Sequence, residues 1–206
     1  MIRNMNPGKF SMVDIRNAIF GAYYPKHYRI VMLGDSITAG VAWNELLGIS
    51  DIANRGIAGD TTDGFFKRLT SVYAIKPEMC FIMGGINDLV NEKASVESIL
   101  INMKKITEAL LENGIKPMIQ STLYVSKEWP DWEPVNNAVD ELNRGLITIC
   151  QETVKSAKLD AVFIDVNAAL APEGILKNEY TYDGVHLSGP GYKEWGTLLL
   201  PICYPK

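Results

Sequence analysis

At 206 residues, with 47% apolar and 21% charged side chains, the chain has the length of one domain and enough apolar content for a substantial core. Its formal net charge of −4 and pI near 5.3 provide no basic face for a nucleic-acid polyanion. It also lacks an uncharged apolar stretch long enough to span a bilayer.

In chain order, Asp14, Arg16 and Lys26 interrupt the apolar side chains of residues 1–27, so this is no secretory h-region. Those residues read as an N-terminal helical extension packed on one domain spanning 1–206. The chain as it stands reads as cytoplasmic, and a chain whose leader had been removed would read the same. Five short apolar runs follow: Tyr28 to Leu33, Asp51 to Asn54, Glu78 to Met83, Lys116 to Ser121 and Ala161 to Asp165. They are mostly apolar on both faces, as strands covered on each side by helices should be. Helices are expected after Ser36, after Thr61 and from Gly191 to the C-terminus. Stronger helical stripes are Val96, Ile99, Leu100, Met103, Ile106 and Leu110, ended by Asn113-Gly114, and a second from Val135 to Cys150. This β/α alternation predicts a parallel sheet between two helix layers, and the doubly wound order 2-1-3-4-5 fits five strands.

Three cysteines, Cys80, Cys150 and Cys203, are an odd count without CxxC spacing and read as buried packing thiols. Neither a disulfide framework nor a zinc site is expected.

The chemistry gathers in loops that this topology puts at the carboxyl edge of the sheet. The first strand ends in Gly34-Asp35-Ser36, with a small nucleophile opening a helix. After the second comes Gly56-Ile57-Ala58-Gly59-Asp60-Thr61, and after the third Gly84-Gly85-Ile86-Asn87-Asp88. Far downstream, Asp183-Gly184-Val185-His186 supplies a carboxylate and an imidazole. Ser36, His186 and Asp183 are the three parts of an activated-serine hydrolase, with Asp183 able to accept the Nδ1 proton. The Ser36 and Gly59 amides and the Asn87 side chain could point at the oxyanion of an attacked ester. Each piece has a plainer reading as well. Gly-Asp-Ser is often only a turn, and the glycine loops could cradle a phosphate, although neither GxGxxG nor GxxxxGK[ST] is present. Asp183-x-x-His186 could be half a metal site, but no further His or Cys cluster completes one. The G-x-S-x-G elbow is not met, because Thr38 stands where its last glycine would be.

Four blocks together resemble the SGNH (GDSL-type) hydrolases: Gly34-Asp35-Ser36-Ile37, Ala58-Gly59-Asp60-Thr61, Gly85-Ile86-Asn87-Asp88 and Asp183-Gly184-Val185-His186. The resemblance runs from about Ile30 to the C-terminus. It implies a flavodoxin-like three-layer α/β/α sandwich and a catalytic set of Ser36, Asp183 and His186. It also implies an oxyanion hole of Ser36, Gly59 and Asn87, with no metal or organic cofactor. Ile37 replaces the leucine of the family's name. The small single-domain branch, containing platelet-activating-factor acetylhydrolase catalytic subunits and sugar O-acetylesterases, is the part most resembled. The expected activity is removal of short acyl groups, acetyl above all, from a carbohydrate or similar alcohol through an acyl-enzyme.

The same machinery fits a lysophospholipase, a thioesterase or an acyltransferase. From other classes, a non-catalytic carbohydrate-binding relative and an FMN carrier share the fold. Tyr124, Trp129, Trp132 and Tyr182, with Tyr180, could stack on a sugar ring. They could equally pack on the domain or against a second copy in a homo-oligomer.

Overall fold

A computed structural model describes residues 10–22, 27–153 and 159–204. Five strands, β1 (Ile30–Gly34), β2 (Ile52–Gly56), β3 (Met79–Met83), β4 (Lys116–Gln120) and β5 (Val162–Ile164), form one sheet of order β2-β1-β3-β4-β5. All four pairings are parallel, and Gly34 is in register with Gly56 on one side and Met83 on the other. Three strands therefore end level, and the loops that leave them share one edge. The expected order and strand set are those observed; β1 begins two residues later than expected, and β2 runs on through Arg55 to Gly56.

The helices are α1 (Met12–Ala22), α2 (Ser36–Ala39), α3 (Trp43–Leu47), α4 (Thr62–Lys67), α5 (Thr70–Tyr73), α6 (Ile86–Val90) and α7 (Val96–Glu112). Beyond β4 come α8 (Trp132–Thr153), α9 (Asn167–Leu170), a 3-10 turn at Asn178–Tyr180 and α10 (Gly189–Cys203). Alternate strand residues feed two cores, one on each face of the sheet. Ile30, Met32, Phe81 and Met83 face Trp43, Trp195 and Leu199 of α3 and α10. Val31, Leu33, Cys80 and Ile82 face Phe65, Ile99, Ile106 and Leu146 of α4, α7 and α8. Both faces are buried, which is why β1 and β3 read as unbroken apolar runs.

Helix ends follow their local chemistry. Ser95 accepts a hydrogen bond from the Ser98 amide to cap α7, and Gly114 adopts φ +70° just beyond its end. In α1, Phe20 is buried beneath the Arg55 guanidinium, 4.6 Å from the ring centre. The remainder of 1–27, apart from Phe10, Ser11 and His27, lies outside the described residues. Helix α8 starts at Trp132, inside what reads in sequence as a loop, because Pro134 is tolerated in a first turn. The three cysteines are buried and free, and desolvation raises all three thiol pKa values, that of Cys150 to about 11. Among the described residues no helix is long and apolar enough to cross a membrane.

Candidate active site

Strand β1 ends against a tight turn in which side chains are excluded. A Cβ on Gly34 would sit 2.0 Å from Thr38 Oγ1 and 2.7 Å from the Met83 carbonyl oxygen. The Asp35 side chain folds back and accepts a hydrogen bond from the Ile37 amide at 2.9 Å, starting α2 with Ser36 as its first residue. Ser36 is thereby held at the carboxyl edge of the sheet.

The 181–187 loop approaches from the other end of the chain, closed by an antiparallel bridge between Thr181 and Leu187. Gly184 takes φ +92°, and its carbonyl accepts from the Ser126 amide at 2.8 Å. Asp183 Oδ1 accepts from the amides of Val185 at 3.0 Å and His186 at 2.7 Å. Its Oδ2 lies 2.6 Å from His186 Nδ1, and His186 Nε2 lies 2.8 Å from Ser36 Oγ. Partial burial works against the charge on Asp183, but these amides and the imidazole outweigh it and hold the carboxyl below its ordinary range. A charged Asp183 fixes the proton on Nδ1 and leaves Nε2 free to accept from the serine. The other histidine, His27, is exposed before β1, at the opposite edge of the sheet.

The second and third loops are tied to each other. Gly59 is exposed with φ +75° in a turn closed by the Asp60 amide and the Ile57 carbonyl at 3.2 Å. Asp60 turns inward to Arg68, Nε to Oδ2 at 2.6 Å, and both side chains are only 2% exposed. Arg68 also donates to the carbonyls of Arg55 at 2.7 Å and Gly34 at 3.0 Å. One guanidinium thus ties the ends of β1 and β2 to the Gly59-Asp60 loop. Gly64 makes room for this arrangement, since its Cβ would lie 1.8 Å from Asp60 Oδ1.

Asn87 is 9% exposed, and its Nδ2 donates to the Asp60 carbonyl at 3.0 Å. Its Oδ1 accepts from Asn91 Nδ2, also at 3.0 Å. A backbone carbonyl can only accept, so the amide orientation is fixed by chemistry, and the second Nδ2 hydrogen remains for another acceptor. Asp88 anchors the same turn by accepting from the Thr62 amide and hydroxyl.

Asp35, beside Ser36, is fully buried, and desolvation raises its pKa to about 7 against the pull of the Ile37 amide and of His186. Its Oδ2 has no hydrogen-bond partner among the described residues.

The structure separates the four aromatic candidates. Tyr182 is 72% exposed and stacks on the His186 ring, with centroids 5.9 Å apart and planes at 12°. Trp129 is half-buried; its amide nitrogen and Cβ lie 3.3 and 3.4 Å from where a Gly184 side chain would begin. Tyr124 and Trp132 pack half-buried on the core and line a separate cleft with Asp140, to which the Tyr124 hydroxyl donates. Tyr180 carries the Lys177 ammonium 5.3 Å from its ring centre. Sequence reasoning missed Arg68, Asn91 and Ser126, all of which brace site residues. Among the described residues no group of three His, Cys, Asp or Glu side chains could hold a metal ion.

Residues 32–194 match the model of the GDSL-like lipase/acylhydrolase family. No curated protein matches the chain. Among solved structures, a Streptococcus pneumonia protein provisionally named a platelet activating factor is similar at TM-score 0.80 and 25% identity, over 94% of this chain and 91% of that one. A protein of Bacteroides fragilis, provisionally named an acylhydrolase, aligns at TM-score 0.79 and 23% identity, over 94% of this chain and 97% of its own. A variant of an acetyl-xylooligosaccharide esterase from Geobacillus aligns at TM-score 0.68 and 19% identity, covering 85% and 93%. With the family model covering most of its length, the chain belongs to the GDSL-like lipase/acylhydrolase family and is an ester hydrolase.

Proposed function

We propose that Ser36, His186 and Asp183 carry out the hydrolysis through a covalent acyl-enzyme, and that the group removed is a short acyl, acetyl foremost, from a carbohydrate hydroxyl. The carrying observation is the unbroken hydrogen-bonded line from Asp183 Oδ2 through His186 to Ser36 Oγ, at 2.6 and 2.8 Å. Ser36 Oγ attacks the ester carbonyl while His186 Nε2 takes its proton. The imidazolium, steadied by Asp183, then passes that proton to the departing alcohol. Water repeats the sequence in reverse: His186 removes its proton, hydroxide adds to the acyl carbon, and Ser36 leaves with the proton from His186.

In each tetrahedral intermediate the oxyanion is held by the amides of Ser36 and Gly59 and the remaining Nδ2 hydrogen of Asn87. One such donor contributes about 3 kcal/mol to lowering the barrier. Supporting the sugar ester is Tyr182, which offers a flat, exposed face beside the imidazole that protonates the leaving alcohol. The Geobacillus neighbour, an esterase of acetyl-xylooligosaccharides by its name, points the same way.

The test is a nitrophenyl ester series from acetate to palmitate beside acetylated sugars. Activity should be highest at acetate and fall beyond butyrate. Activity retained on long chains would transfer the assignment to a lysophospholipase or lipase.

A further inference from the structure

Helix α2, which Ser36 opens, has only four residues, too few to hold its own conformation. Its carbonyls are taken up by side chains from elsewhere in the chain. Thr38 accepts from Trp43 Nε1 at 2.9 Å and from Asn54 Nδ2 at 3.1 Å. Ile37, the residue after Ser36, accepts from the Tyr192 hydroxyl at 2.8 Å, across 155 positions of sequence.

Tyr192 belongs to the element that follows His186. Only Leu187 and Ser188 separate His186 from α10, and both are fixed. Leu187 is buried, the Ser188 amide donates to the Tyr180 carbonyl at 2.8 Å, and the Ser188 hydroxyl accepts from the Gly191 amide to cap α10. The Tyr192 amide then donates to the Ser188 carbonyl at 3.0 Å. Its ring lies against that of Trp195, with planes at 17° and centroids 6.2 Å apart. Trp195 is fully buried, and its Nε1 donates at 2.8 Å to Gln120, the last residue of β4. Through these contacts the phenol is anchored to the sheet as well as to α10. Burial, with Tyr182 and Asp35 nearby, raises the Tyr192 pKa, so the hydroxyl stays a donor at neutral pH.

Two paths therefore join His186 to Ser36. One is the direct hydrogen bond of 2.8 Å. The other runs through Leu187, Ser188 and the first turn of α10 to the Tyr192 hydroxyl and Ile37. Gly40 keeps the room that this second path needs: a Cβ there would sit 2.3 Å from the Tyr192 hydroxyl and 3.3 Å from the Ser36 carbonyl oxygen. Gly40 has φ −71°, which any residue adopts, so the glycine serves space and not conformation. We infer that Tyr192 is a positioning residue, whose hydroxyl holds α2 against α10 and so sets the distance and angle between Ser36 Oγ and His186 Nε2. The inference rests on the reading of those two residues as nucleophile and base.

The test removes or displaces that hydroxyl. On nitrophenyl acetate, Tyr192→Phe should lower kcat about tenfold or more while KM changes less than about twofold. Gly40→Ala, at an exposed position, pushes the same hydroxyl away and should act in the same direction, which also covers a Tyr192→Phe variant that fails to fold. Adding Gly40→Ala to Tyr192→Phe should cost little further, because the atom it displaces is gone. A second readout follows the imidazole in protein carrying 15N-labelled histidine, where His27 is the only other signal. Ser36→Ala should shift the His186 Nε2 resonance by removing its hydrogen bond, and that response should shrink in the Tyr192→Phe background. Activity of both single variants within about twofold of the wild type, fully additive losses, or an undiminished Nε2 response would overturn the inference. Failure of the wild type on nitrophenyl acetate would instead count against the esterase reading, and the Nε2 response would still decide the role of Tyr192.

Discussion

Two hydrogen bonds hold the Asn87 amide: Asn91 Nδ2 donates to Asn87 Oδ1 at 3.0 Å, while Asn87 Nδ2 donates to the Asp60 carbonyl at the same distance. Removing Asn91 leaves that oxygen unpaired and the amide held by the Asp60 carbonyl alone. Asn87→Ala should therefore lower kcat by about a hundredfold or more with little change in KM, as loss of a transition-state donor does. Asn91→Ala should show a smaller loss of the same kind, and Asn91→Gln should recover part of it. A rise in KM alone would make Asn87 a ground-state contact.

Asp183 accepts from two amides as well as from His186. In Asp183→Asn the amide group can donate towards Nδ1, favouring the tautomer whose proton lies on Nε2, where the serine's proton must go. Steady-state kinetics should show kcat reduced by roughly a thousandfold with the fold intact by circular dichroism. A loss below about tenfold would show that the imidazole is oriented by something else.

The Asp60–Arg68 pair is buried on both sides. Arg68→Met strands a carboxylate in the core, and urea unfolding should register a loss of about 3–5 kcal/mol. Because Arg68 also holds the ends of β1 and β2, kcat should fall even where the variant is folded. Unchanged stability would mean that Asp60 accepts a proton at little cost.

Asp35 has its folded pKa raised to about 7 from 3.8, so between those values the folded state binds the proton more tightly than the unfolded chain. Stability must then fall as pH rises through this window. Burial also raises Asp60 and Asp88, which adds slopes of the same sign. Asp35→Asn keeps the Oδ1 acceptor for the Ile37 amide but cannot ionise. Urea midpoints at about pH 4 and pH 8 should therefore lie closer together in the variant than in the wild type. Equal differences in both proteins would place Asp35 outside the titration.

The sheet was legible because its strands are covered on both faces: Ile30 to Leu33 and Cys80 to Met83 show no polar alternation, and the glycines that end them mark the turns. The candidates Ser36, Gly59 and Asn87 stand out in sequence because they follow strand ends, and Asp183 and His186 because a carboxylate and an imidazole stand three positions apart. Hidden in sequence were the residues whose work depends on distant approach. Arg68 looks like an ordinary helix-end cation until the Gly34 and Arg55 carbonyls come within reach. Asn136 and Asn143 share the α8 stripe with Val139 and Leu142, yet they satisfy the backbone of Val125 and Thr122, which no strand partners. Trp132 reads as a loop aromatic, but it opens a helix.

The central claim is that Ser36 is a nucleophile made reactive by His186. Labelling the wild type with a fluorophosphonate and mapping the modified peptide tests it directly. The adduct should fall on Ser36, be absent in Ser36→Ala, and form far more slowly in His186→Ala. An adduct on another residue, or undiminished labelling without His186, would contradict the account.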